Sequence, residues 1–175
     1  MEISGSASPF RYLCLFIVLL LAQVLICNNL LLFGVAVPFV FIYFIICLPL
    51  NTSLNIVMSL GFILGFFVDL FSDTLGLNSL ASLVLAVVRK PVFFAYLPKD
   101  DKYKDASPSI STMGWPDYVK FILTLSAIFS FLVFSIELFS FASFGKIIVM
   151  VCASTVVTLL LLVAIDSLFN RLRES

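Results

Sequence analysis

The amino-acid sequence predicts an all-α integral membrane protein with six transmembrane helices. Hydrophobic residues make up 62% of the 175 residues, the mean hydropathy is +1.21, and only 11% of the residues are charged. Soluble domains contain about 25% charged residues, so the composition excludes that class. The apolar runs are continuous and as long as membrane helices, whereas β-barrel strands alternate apolar and polar residues. We therefore predict a single polytopic membrane domain, residues 1–175.

The apolar runs place the six predicted spans in order along the chain. A hydrocarbon core takes about 20 apolar helical residues to cross, and fewer where the bilayer thins. The first run continues to Cys27 without a small-residue cleavage site, which favours a retained helix over a cleaved signal peptide. The second span is short, and the apolar residues 30–34 before it either complete it or lie at the interface. The predicted spans are Phe10–Cys27, Val37–Leu48, Leu54–Phe71, Leu75–Val88, Val119–Phe139 and Ile147–Ile165.

The basic residues indicate the orientation of these spans. With six spans and both termini in the cytoplasm, nine of the ten Lys and Arg residues lie on the cytoplasmic side, and only Lys146 lies outside. Cytoplasmic loops of membrane proteins carry an excess of Lys and Arg, so this sorting predicts an even span count with cytoplasmic termini. The nine residues are Arg11, Arg89, Lys90, Lys99, Lys102, Lys104, Lys120, Arg171 and Arg173.

Residues 89–117 form the predicted cytoplasmic polar loop between the fourth and fifth spans. Within it, the segment Lys99–Asp117 mixes both signs of charge with proline and serine, which predicts a flexible connector. The alternative interpretation is a docking segment for a cytoplasmic partner, and the sequence allows both interpretations.

The third span carries polar and small residues at every fourth position. Gly61, Gly65, Asp69 and Asp73 therefore lie along one helix face. Glycines at this spacing let a neighbouring helix approach closely, and a charged residue in a span faces a bundle interior or water. We predict that this face, with Gly76 in the turn that follows, is a seam for helix packing or for a partner. Asp69 either makes a buried contact that fixes the bundle or meets a partner, or caps the next helix.

The other polar residues give little support to catalysis. The chain contains no histidine, which removes the commonest general base and transition-metal ligand. The cysteine spacing suggests neither a metal site nor a disulfide framework, and no phosphate-binding glycine loop is present. We predict no catalytic residue, metal site, cofactor or nucleic-acid partner. Glu137 and Asp166 are expected at membrane interfaces, and Gln23 and Asn55 are suited to interhelical hydrogen bonds.

The third span and its following turn resemble the central signature of the rod shape-determining protein MreD family. The string runs Gly61-Phe-Ile-Leu-Gly65-Phe-Phe-Val-Asp69-Leu-Phe-Ser-Asp73 and continues after the turn with Gly76-Leu-Asn-Ser-Leu. In that family a glycine-x-x-x-glycine helix leads into an aspartate, a short turn and a glycine-led next helix. The upstream Leu-Phe-Gly-x-x-x-Pro stretch at 32–38 and the short second span also resemble the family pattern.

The resemblance implies a non-enzymatic component of the bacterial cell-elongation machinery in the inner (cytoplasmic) membrane. Its implied role is to scaffold or regulate lateral peptidoglycan synthesis and cell shape. The implied partners are MreC, MreB filaments and the RodA/class B penicillin-binding protein synthase, and a homodimer is left open. The family is also similar in fold to the S components of energy-coupling-factor vitamin transporters. A substrate-binding S component is therefore the alternative function, and a small membrane enzyme is a third class without a supporting cluster of polar residues.

Overall fold

The protein is all-helical in the computed structural model, which describes residues 9–27, 36–74, 76–98, 103, 106–137 and 144–174. The first helix ends in a π-helical turn, and two of the other helices are short. The helices are α1 (Pro9–Leu21, continued by the π-helical turn Ala22–Ile26), α2 (Ile42–Cys47), α3 (Leu54–Ser72), α4 (Leu77–Tyr96), α5 (Ile110–Met113), α6 (Trp115–Glu137) and α7 (Phe144–Glu174).

Four of the described helices are long and apolar enough to cross a membrane. They are Leu54–Ser72, Leu77–Tyr96, Trp115–Glu137 and the part of α7 from Ile147 to Leu168. The first helix contributes a shorter apolar stretch, Tyr12–Ile26. The all-helical prediction is confirmed, and the membrane prediction is supported in this coarser form. Six spans are not shown: the predicted span Phe10–Cys27 is helical, but its apolar stretch is the shorter Tyr12–Ile26, and the predicted span Val37–Leu48 contains only the short helix Ile42–Cys47.

The second predicted span differs most from the prediction. Within Val37–Leu48 only Ile42–Cys47 is helical, and residues 37–39 have no regular structure. Pro38 has no backbone N–H to donate, and Pro49 forces Leu48 into an extended conformation (ψ 143°) that ends the helix. We call residues 36–50 the core segment. Residues 30–34, the apolar stretch before it, lie outside the described residues.

Helix α4 is longer than the sequence predicts. It continues past Val88, through Pro91, to Tyr96, so the first part of the predicted 89–117 loop is helical. Phe93 is fully buried and its ring meets that of Phe121 on α6 at 5.8 Å, which gives the added turns an apolar contact. Packing therefore continues the helix across a residue that usually ends one.

The later part of that loop folds against one end of the bundle. The backbone N–H of Leu50 donates to the carbonyl oxygen of Ala106 at 3.0 Å, and Met113 of α5 is buried. The described residues 106–113 thus contact the rest of the chain, and the flexibility that the sequence predicts for this loop stays a prediction. Residues 99–102, 104 and 105 lie outside the described residues.

The core segment lies at the centre of the helix bundle. Every residue from Phe39 to Ile46 is at most 5% exposed. Its side chains or backbone meet five surrounding helices. The contacts are Phe44 with Phe16 of α1, Ile45 with Gly61 of α3, Ile45 with Arg89 of α4, Phe41 with Phe129 of α6, and Tyr43 with Asp166 of α7.

The outer faces of the long helices are apolar. On α3, the exposed residues include Phe62, Phe66 and Leu70, and α7 exposes Val156 and Leu160. Soluble proteins rarely expose continuous apolar surfaces of this kind, whereas lipid-facing helices do so as a rule. The outward faces are therefore those of a protein embedded in a membrane.

Candidate functional site

The predicted seam on α3 faces helix α4. Gly61, Gly65 and Asp69 are all buried. A Cβ added at Gly65 would lie 2.7 Å from both the carbonyl oxygen of Asn78 and the Cα of Ser79. Such distances are shorter than any ordinary van der Waals contact, so the backbones of α3 and α4 touch at this point. The same addition at Gly61 would meet the Ile45 side chain at 3.2 Å.

Asp69 closes the turn between α3 and α4. Its Oδ1 accepts hydrogen bonds from the Asn78 backbone N–H (3.0 Å), the Asn78 side-chain amide (3.0 Å) and the Thr74 hydroxyl (2.6 Å). Its Oδ2 accepts from the Ser79 backbone N–H (2.8 Å) and the Ser79 hydroxyl (2.5 Å). These backbone donors belong to the first turn of α4, where N–H groups have no partner within the helix. Asp69, which lies near the end of α3, therefore caps the N-terminus of α4.

The capping and the bundle-fixing interpretations of Asp69 describe the same contact. The carboxylate is 3% exposed and caps a helix from inside the bundle. Five donors occupy its two oxygens, which is about as many as an ionised carboxylate accepts. The chemistry of this group in the structure is that of a hydrogen-bond acceptor for the chain itself.

The other two predicted seam residues shape the turn. Asp73 is exposed and adopts a left-handed conformation (φ 55°) that ends α3. Gly76 has φ 80°, and an added Cβ would meet no atom within 4 Å, so its role is conformational freedom. The five predicted residues thus divide into a buried contact with α4, formed by three of them, and a turn formed by the other two.

Arg89 holds the opposite end of the core segment. It is 2% exposed, and its Nη1 donates to the carbonyl oxygens of Ile45 and Leu48 at 2.7 Å each. Its Nη2 donates to the carbonyl oxygen of Pro49 at 3.2 Å. The last carbonyls of a helix lack partners within it, and a cation is favoured at that end. Sequence reasoning placed Arg89 in the polar loop because Arg-Lys-Pro follows an apolar run.

The non-helical part of the core segment is held by side chains. The backbone N–H of Val37 donates to the Ser154 hydroxyl (2.9 Å), and that of Phe39 donates to the Thr158 hydroxyl (3.1 Å). Gln23 accepts from the Val40 N–H at 2.9 Å and donates to the Pro38 carbonyl at 3.1 Å. Polar side chains on α1 and α7 therefore replace the hydrogen bonds that a helix would form internally.

Asp166, which the sequence predicts at a membrane interface, is buried within the protein and joins three parts of the chain. Its Oδ1 accepts from the Tyr43 hydroxyl at 2.8 Å, and its Oδ2 accepts from the backbone N–H of Ile110 at 3.0 Å. Tyr43 belongs to the core segment and Ile110 begins α5. Glu137, by contrast, is exposed at the end of α6, and Asn55 is exposed near the start of α3.

These contacts also give the direction of the core segment. Ser154 and Asp166 lie about 18 Å apart along α7, at 1.5 Å per residue. The segment contacts Ser154 at Val37 and Asp166 at Tyr43, so it runs in the same direction as α7. Gln23, near the end of α1, contacts Val40, and the earlier Phe16 contacts Phe44. Helix α1 therefore runs in the direction opposite to the core segment.

In the described part of the chain, no three His, Cys, Asp or Glu side chains come together to hold a metal ion. Comparison with known proteins yields no matching family model, no significantly similar curated protein and no significantly similar solved structure. The functional interpretation therefore depends on the residues and contacts described above.

Proposed function

We propose that this chain is a non-enzymatic scaffold of the bacterial cell-elongation machinery, similar to MreD proteins. In this role it lies in the inner membrane and binds MreC through its helices, together with MreB and the RodA/class B penicillin-binding protein synthase. The observation that carries the proposal is the α3–α4 hairpin. Four residues that carry the resemblance contribute to this hairpin, through helix contacts, the cap or the turn: Gly61, Gly65, Asp69 and Gly76.

The buried charged residues support a scaffold over a transporter or an enzyme. Asp69, Arg89 and Asp166 each bind backbone groups of their own chain. Catalysis and ion coupling need ionisable groups that can meet a substrate or exchange a proton. Groups that bind helix ends serve the structure of their own chain, and a scaffold presents such a structure to its partners.

The direction of the segments supports six crossings with both termini on one side. The core segment runs antiparallel to α1 and parallel to α7, and α3 and α4 form an antiparallel hairpin. If the core segment counts as the second crossing, the chain reverses at each step through α1, the core segment, α3, α4, α6 and α7. The positive-inside rule then assigns the shared end to the cytoplasm.

The experiment is a pull-down of the tagged full-length protein from its native membranes in mild detergent, read by mass spectrometry. Recovery of a single-pass coiled-coil protein of the MreC kind with cell-wall synthesis enzymes supports the proposal. Recovery of paired ATPases with a membrane coupling subunit instead overturns it and assigns the chain as an S component of a vitamin transporter. Recovery of neither set also contradicts the scaffold function.

A matched pair of variants tests the hairpin within the same pull-down. Gly65→Leu separates the touching backbones of α3 and α4 and is expected to abolish recovery of the partners. The control Phe66→Leu changes the next residue, which is 46% exposed on the outer face, and is expected to recover them normally. Normal assembly and abundance of Gly65→Leu would show that the hairpin contact does not matter for the complex.

A further inference from the structure

The core segment depends on other parts of the chain for its backbone hydrogen bonds. Val37 and Phe39 donate to hydroxyls of α7, and Val40 donates to Gln23 of α1. Pro38 has no N–H to donate. Ala36, directly before this stretch, forms a single backbone bridge, and the hydrogen-bond partners of Val37, Phe39 and Val40 are these side chains.

The far end of the core segment has the same dependence. The carbonyl oxygens of Ile45, Leu48 and Pro49 accept from Arg89 of α4. The N–H of Leu50 donates to Ala106. Both ends of the segment are therefore held by other parts of the chain, the first by α7 and α1 and the second by α4 and Ala106.

The surrounding long helices differ in this respect. Helices α3, α4, α6 and α7 are long and apolar enough to cross a membrane, and a helix makes its backbone hydrogen bonds within itself, apart from the one that α4 loses at Pro91. Non-helical backbone is tolerated at membrane depth only where protein buries it. The backbone hydrogen bonds of the long helices thus do not need the core segment, whereas those of the segment need the helices.

We propose that the core segment is a conditionally docked element, the first part of the interior to open while the surrounding helices stay in place. Its docking is controlled by the polar side chains of α7 and α4, with Thr158 and Arg89 at its two ends. The segment then exchanges between a docked and an open state, whatever the function of the chain.

The test uses two cysteine reporters in the full-length protein with its four native cysteines replaced by alanine. Val40→Cys reports on the core segment, and Val133→Cys reports on α6; both valines are 5% exposed. Each reporter is combined with Thr158→Val, which removes the hydroxyl that binds Phe39. The control is Thr155→Val, the same substitution three residues earlier, where the buried hydroxyl has no hydrogen-bond partner among the described residues.

The readout is the rate of maleimide labelling in native membranes. Labelling of a buried thiol follows the population of the open state. Loss of one buried hydrogen bond is expected to raise the Val40→Cys rate about tenfold in Thr158→Val, with the Val133→Cys rate unchanged. Thr155→Val is expected to leave both rates at the parent value.

Three results would overturn the inference. An unchanged Val40→Cys rate in Thr158→Val would mean that α7 does not control docking. A parallel rise at both reporters would mean that the bundle opens as one unit. An equal rise in Thr155→Val would mean a general loosening of α7. Should Thr158→Val fail to accumulate in membranes, Ser154→Ala removes the neighbouring contact to Val37 and is judged by the same rates.

Discussion

Replacement of Gly65 by alanine tests how closely α3 and α4 must pack. The added Cβ would lie 2.7 Å from the Asn78 carbonyl oxygen and from the Cα of Ser79. Non-bonded heavy atoms are most stable at about 3.5 Å or more, so the helices must separate by about 0.8 Å. Because the nearest atoms belong to the backbone, no side-chain rotation relieves the contact.

Two costs and one gain determine the change in the free energy of unfolding. Overpacking a close-packed interior costs about 1–3 kcal/mol. Separation also stretches the bonds from Asp69 to the N–H groups of Asn78 (3.0 Å) and Ser79 (2.8 Å), and a weakened helix cap costs about 1 kcal/mol. Alanine in place of glycine within a helix gains about 1 kcal/mol. We therefore expect Gly65→Ala to lose about 1–3 kcal/mol.

Gly61→Ala is the matched control, on the same face of the same helix. Its added Cβ would meet the end of the Ile45 side chain at 3.2 Å and the Ser82 carbonyl oxygen at 3.4 Å, which small shifts accommodate. The helix gain of about 0.5–1 kcal/mol for alanine offsets the cost of these shifts, so we expect the free energy of unfolding to change by less than about 1 kcal/mol. Both variants are measured by reversible denaturation in the same detergent, followed by helicity. Equal stability of the two variants would refute the close contact between α3 and α4 at Gly65.

Two further predictions concern the buried charges, measured in the same way. Asp69→Asn puts an amide donor against the donors of α4 and is expected to lower the free energy of unfolding by about 1–3 kcal/mol. The control, Asp73→Asn at the exposed turn, is expected to leave it unchanged. Equal losses in the two variants would argue against the role of Asp69 as a cap. Arg89→Met leaves three carbonyl oxygens without the donor that Arg89 provides and is expected to lower the free energy of unfolding by about 1–3 kcal/mol. The control is Lys90→Met, at the exposed neighbouring residue. Wild-type stability of Arg89→Met would show that the guanidinium does not hold the core segment.

The long helices were the part of the fold that sequence could predict. Helix α3 begins at Leu54, as predicted, and ends at Ser72, one residue beyond the predicted Phe71. An uninterrupted apolar run decides such a helix locally, because every backbone hydrogen bond is made within it. The prediction that glycines and a carboxylate share one face also depends only on helix periodicity, although the neighbour that they face was not predictable.

The contacts of the core segment could not be predicted in the same way. Arg89 follows an apolar run and precedes Lys-Pro, a pattern typical of a cytoplasmic boundary. Its burial depends on carbonyl groups about forty residues earlier in the chain. Ser154 and Thr158 likewise look like ordinary small polar residues of a membrane helix until the unwound segment beside them is known. Hydrogen bonds between distant segments leave no periodic pattern in a sequence.

One physical rule unites the three buried charged residues. Asp69 accepts from N–H groups at the start of α4, and Asp166 accepts from the N–H that begins α5. Arg89 donates to carbonyls at the end of α2. In each case the sign of the charge is opposite to the partial charge of the helix end that it meets, so the contact is favourable.

This match explains why a membrane-embedded chain keeps charges that are costly to bury. Helices that end inside the bundle leave unpaired N–H or C=O groups where no water reaches them. A charged side chain from a neighbouring helix satisfies several such groups at once, as Arg89 does for three carbonyl oxygens. Each of these buried charges therefore stabilises the architecture of the chain itself.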